Sequence, residues 1–189
     1  MKELHSGVKK LIVSEILLIL TTVLSVVTLA IENETVQALL GVGMLVIALV
    51  CCILNLVAVV KLRKTNKNFN EAFWLTIALI VIEILSSVLP NLNAELFSAD
   101  SYSVVKTVFT AGVALAIIFG IAQELPDLKK FGYTVAIIYL IMLALGVILE
   151  LIQFSDAIVN IISVVISIVT LVYQVAYIVY LGKAVAASK

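Results

Sequence analysis

Histidine and tryptophan each occur once in these 189 residues, and proline and cysteine twice each. The single histidine, His5, sits in an amino-terminal tail and is expected to be solvated. No aspartate falls inside an apolar run. Catalysis within a membrane needs a metal with its ligands or a nucleophile with a base, and neither set can be assembled from this inventory. HExxH, P-loop and GxSxG sequences are also missing. The expected class is therefore not an enzyme, and no metal or cofactor is implied. Cys51 and Cys52 are adjacent within an apolar run, and there is no CxxC. Neighbouring helical positions point about 100° apart, which disfavours a bond between them. They read as small apolar side chains in helix packing.

Charge is also scarce. Charged residues make up 13% of the chain and hydrophobic ones 63%, with a mean hydropathy of +1.26. A soluble domain holds roughly 45–50% apolar residues. No basic patch is large enough to suggest nucleic acid. What is present instead is a series of apolar runs, at about 8–31, 36–62, 72–89, 103–124, 132–153 and 157–182. Each is long enough to cross a bilayer as a helix. The runs are too long and too uniformly apolar for barrel strands, so the expected fold is an all-α, six-transmembrane-helix bundle forming one membrane domain over 1–189. The first run is longer than a secretory signal core and no A-x-A site follows, so it is expected to be retained.

Eleven of the twelve Lys and Arg residues then fall on one side: Lys2, Lys9, Lys10, Lys61, Arg63, Lys64, Lys67, Lys129, Lys130, Lys183 and Lys189. Set against Glu3, Glu71, Glu124 and Asp127, that side carries a net of about +7. Lys106 alone faces Glu32, Glu34, Glu95, Asp100, Glu150 and Asp156 on the other, about −5. Basic loops stay cytoplasmic, so both termini are expected inside, in a plasma membrane of bacterial type. The polar segment from Lys61 to Glu71 is the expected inner loop, where it serves topology or contacts a partner or anionic lipid.

Polar residues inside the runs form stripes. Asn160, Ser163, Ser167, Thr170, Gln174 and Tyr177 recur at helical spacing on one face of the sixth. Two readings fit: the wall of a polar cavity, or a packing seam with hydroxyls bonded to their own carbonyls. Glu83, near the centre of the third run, shares a face with Thr76, Ser87 and Pro90. A mid-membrane carboxylate costs on the order of 3 kcal/mol, so Glu83 is expected to face the bundle, and with no Lys or Arg at its depth to be protonated. Glu15 lies close enough to Lys10 to snorkel to the inner interface. Gly112, Ala116 and Gly120 form a small-xxx-small ladder, suited to helix packing or, if it faces lipid, to docking a membrane-protein partner.

Chain length and helix count resemble those of the substrate-binding components of energy-coupling vitamin transporters. The resemblance stops at the first helix. Those proteins tend to carry a small-residue docking motif there, and this chain has Ser14, Thr21, Thr22, Ser25 and Thr28. The functional expectation is a binding or transport module for a small cationic or protonatable solute. Its polar site would comprise Glu83, Asn55, Gln174, Thr170, Ser167 and Tyr139, with Glu15 and Asn160 as accessory groups. The alternative is a non-catalytic interaction subunit for assembly, immunity or regulation.

Overall fold

A computed structural model describes residues 1–29, 31, 33–88, 99–151 and 156–189; the side chains at 25–27, 29, 34, 85–88, 99–104, 149–151, 156–161 and 163 lie outside that description. Among the described residues the fold is all-helical, with α1 Lys2–Leu29, α2 Glu34–Leu62, α3 Lys67–Val88, α4 Ala99–Glu124, α5 Lys129–Leu151 and α6 Asp156–Ala187. A short 3-10 turn, Pro126–Leu128, joins α4 to α5. Four stretches among the described residues are long and apolar enough to cross a membrane: Thr35–Leu62, Val105–Glu124, Pro126–Ile148 and Val164–Ala187.

Contacts between residues far apart in sequence set the arrangement. In the first hairpin Gly7 meets Leu62, Ser14 meets Cys51, and Gln37 reaches the carbonyl of Thr28. In the second, Gly120 meets Phe69 and Gly112 meets Leu75. In the third, Gly132 meets Tyr180 and Tyr139 meets Tyr173. In every pair one number rises as the other falls, so each hairpin is antiparallel. Helices α2 and α3 touch, as do α4 and α5, and α1 packs on α6. The six helices therefore form a ring in chain order, closed by the first and last.

Among the described residues the core occupies one end of this ring. Its buried members are Leu4, Val8 and Leu11 on α1, Ala58, Val59 and Leu62 on α2, and Phe69, Ala72 and Phe73 on α3. Helix α4 adds Ile117, Ile118 and Ile121, α5 adds Val135, Ala136 and Tyr139, and α6 adds Tyr173, Tyr177, Tyr180, Leu181 and Ala184. Each helix contributes the half nearest the termini and the two short connections. That end, here called the inner end, also carries the basic residues at both termini, at 61–67 and at 129–130.

Several boundaries differ from expectation, and at three of them packing or hydrogen bonding extends the helix beyond the hydropathy maximum. Helix α1 begins at Lys2 because Leu4, Val8 and Leu11 continue one apolar stripe below the hydropathy maximum. Residue His5 is consequently not solvated: it is half-buried, with Nδ1 3.1 Å from both the Val185 carbonyl and Ser188 Oγ, which ties the two termini together. Helix α6 correspondingly runs to Ala187.

The expected inner loop from Lys61 to Glu71 contracts to the few residues after Leu62, because Asn66 starts α3 early. Its Oδ1 accepts from the Phe69 amide at 3.1 Å, the geometry of a helix N-cap. Its Nδ2 donates to the Gly120 carbonyl and to Glu124 Oε1, both at 2.9 Å. At the other end Asn33 caps α2 by accepting from the amides of Thr35 and Val36.

Candidate functional site

Helical threonines satisfy themselves. Thr21, Thr22, Thr28, Thr76, Thr134 and Thr170 each donate to the carbonyl four residues earlier, at 2.8–3.1 Å. This is the usual local solution for a hydroxyl in an apolar helix. Thr170 is thus bonded to Ile166, and Ser167 is exposed on the same helix. The side chains of Asn160, Ser163, Ser87, Pro90, Ser25 and Glu150 lie outside the described residues.

Glu83 departs from the expectation that it lacks a basic partner. Lys106 on α4 sits 2.6 Å from its Oε1, and both side chains are 48% exposed. Helix α4 runs antiparallel to α3, which carries its one basic residue down to the level of Glu83. Counting from Phe69, Glu83 lies about 21 Å along α3 toward the outer end. The small-residue ladder is likewise engaged within the hairpin. A Cβ on Gly120 would fall 2.8 Å from Phe69 Cε1, and one on Gly112 3.0 Å from Leu75 Cδ1. The face carrying these glycines points to α3, so the condition for a lipid-facing docking ladder is not met.

The polar groups that come together lie elsewhere, between α1, α5 and α6. Tyr139 and Tyr173 have ring centroids 4.9 Å apart, and Tyr173 stacks on Tyr177 at 5.6 Å with planes 11° from parallel. All three are buried, at 6%, 9% and 3% exposure. Tyr180 continues the series, meeting Phe131 edge-on and donating its hydroxyl to the Ile118 carbonyl at 2.9 Å.

Glu15 stands half-buried on α1, within electrostatic range of Tyr139, Tyr173 and Tyr177. Among the described residues it has neither an ion pair nor a hydrogen bond. It lies about 12 Å along α1 from Gly7, well short of Glu83's level. Among the described residues it forms no ion pair with Lys10. Next to it, Ser14 Oγ donates to the Cys51 carbonyl at 3.4 Å and Cys51 Sγ to the Ser14 carbonyl at 3.6 Å, locking α1 to α2. Cys51 is buried, Cys52 is exposed and both are free thiols.

Gln174 follows Tyr173 and precedes Tyr177 by one turn, and its Oε1 is buried without a hydrogen-bond partner. A buried amide oxygen left unpaired costs about 1–3 kcal/mol, a cost that a donor arriving from outside the chain would remove. Asn55, on α2, is half-buried one turn from Cys51.

Of the expected site residues, Tyr139 lies within electrostatic range of Glu15, Gln174 sits on α6 next to Tyr173, and Glu83 is separate and paired. Tyr173 is the member that stripe analysis misses. Its signal is present in the sequence: Tyr173, Tyr177 and Tyr180 recur at spacings of 4 and 3.

No family model matches this chain, and no curated protein or solved structure matches it.

Proposed function

We propose that the chain is an integral membrane protein of six spans with both termini on the cytoplasmic side of a plasma membrane. Support comes from the ring itself. Both termini and the connections at 63–66 and 125–128 share one end, and that end carries the basic residues.

Within this frame the protein is a non-enzymatic binding or transport module for a small cationic or protonatable solute. One observation carries the reading: the Glu15 carboxyl group, half-buried and without a basic partner among the described residues, within electrostatic range of three buried tyrosines; the unpartnered Gln174 oxygen lies on the tyrosine-bearing helix α6. A carboxylate supplies charge, tyrosine faces attract cations, and an amide oxygen accepts from an ammonium N–H. Glu83, the group first expected to do this, already has Lys106 as its counter-charge.

Thermal melting of the detergent-purified chain against a panel of inorganic cations, amines and vitamins tests the reading. At least one cation or amine should raise the melting temperature of the wild type. That gain should vanish in Glu15→Gln and survive in Glu83→Gln. A gain that survives Glu15→Gln and vanishes in Glu83→Gln returns the site to the α3–α4 pair. The absence of any gain overturns solute binding.

An interaction subunit is the second reading. It is favoured by α2, whose Leu39, Val42, Leu45, Leu49 and Ile53 are exposed beside Gly41 and Gly43, where an added Cβ would meet nothing within 4 Å. Such a face admits a helix from another membrane protein at close range.

A further inference from the structure

A cleft of about 360 Å³ opens at the inner end, bounded by α3, the last turn of α4 and the first turn of α5. Asn68, Gln123 and Lys129 supply its polar rim, and Phe119, Pro126 and Tyr133 its apolar wall. The wall is built: Phe119 and Tyr133 meet edge to face at 5.9 Å. So is the rim. Asn68 Nδ2 donates to Gln123 Oε1 at 3.3 Å, which leaves the Gln123 amide nitrogen as a donor. Lys129 Nζ lies 5.8 Å from the Tyr133 ring centroid. The nearby acids are turned elsewhere, since Glu124 accepts from Asn66 and Glu71 pairs with Lys67 at 3.6 Å. Asp127 is exposed and outside the lining.

The lining selects an amphiphile. A free phosphate would use the lysine and the amides and leave the aromatic wall idle. Tyr133 is 46% exposed and belongs to Pro126–Ile148, a stretch apolar enough to cross a membrane, so the wall of the cleft is continuous with a surface suited to lipid. Basic pockets between spans on the cytoplasmic side suit anionic headgroups. We propose that this cleft seats the headgroup of an anionic phospholipid. Lys129 and the two amides hold the phosphate, and the first carbons of the chains lie on Phe119 and Tyr133. The site is independent of the solute reading above; its leaflet rests on the proposed topology.

The test is native mass spectrometry of the full chain, released from micelles containing equal phosphatidylglycerol and phosphatidylcholine. The wild type should retain phosphatidylglycerol preferentially. Lys129→Gln should lower that retention about fivefold, the weight of one lysine against an anionic surface. Lys129→Arg should keep it, as should Lys130→Gln, whose side chain lies outside the cleft. Asn68→Leu leaves every charge in place and should also lower retention. Should Lys129→Gln fail to fold, this variant alone decides. Inorganic phosphate and glycerol phosphate, at the lipid's concentration, should displace nothing. Equal retention of both lipids by the wild type, unchanged retention in Asn68→Leu or in a folded Lys129→Gln, or equal loss in Lys130→Gln would overturn the proposal. Displacement by inorganic phosphate would make a free phosphate the ligand and overturn it as well.

Discussion

Glu83 and Lys106 pair at 2.6 Å between the neighbouring helices α3 and α4, with each side chain about half exposed. Removing one member takes this counter-charge from the other. Glu83→Gln and Lys106→Gln should each lower the melting temperature, and the double variant should recover part of the loss. Half-exposure limits the coupling to about 1 kcal/mol, measurable as a double-mutant cycle in detergent.

Gly120 has no room for a methyl group. Its Cβ would meet three atoms of the Phe69 ring at 2.8–3.0 Å, and Phe69 is fully buried. Gly120→Ala should destabilise by about 1–3 kcal/mol through overpacking. Gly43, whose surroundings are open, is the control. There Gly→Ala should be neutral or stabilise by up to about 1 kcal/mol through helix propensity. Equal melting of the two variants would contradict the α3–α4 register.

Asn66 makes two kinds of contact through one side chain, and substitutions separate them. Asn66→Ser keeps a capping oxygen for Phe69 and loses the donor to Gly120 and Glu124. Asn66→Ala loses both. The expected order of stability is wild type, Ser, Ala, with Ala about 1–2 kcal/mol below wild type. Asn66→Asp keeps the cap but sets a carboxylate against Glu124, and should fall below Ser.

Tyr180→Phe removes a single buried donation, to Ile118 on α4. The ring remains to pack over Gly132 and against Phe131. The expected cost is about 1 kcal/mol, read as a lower melting temperature. A larger loss would mean that the hydroxyl also orders the other tyrosines.

The helices were legible because long apolar runs leave the backbone few alternatives in lipid. Register was not. It depends on Gly7, Gly120 and Gly132 receiving Leu62, Phe69 and Tyr180, and glycine spacing within one helix does not name its partner in another. Glu83 shows the same gap from the electrostatic side. Lys106 lies near the start of its run, and only antiparallel packing places it beside a residue that counts as central in its own. The hydroxyl stripe on α6 could be read two ways because spacing reports the face a side chain occupies and not the acceptor it finds. For Thr170 that acceptor is its own helix.

The ring closes where α1 meets α6, with His5 against Val185 and Ser188 and Glu15 within electrostatic range of the tyrosines. Helix α1 therefore depends on a helix that follows it by more than a hundred residues. Until α6 is threaded, α1 has α2 on one flank and nothing on the other, and its carboxyl group faces hydrocarbon. Closure of the ring and cover for the open flank of α1 are, for this fold, one step.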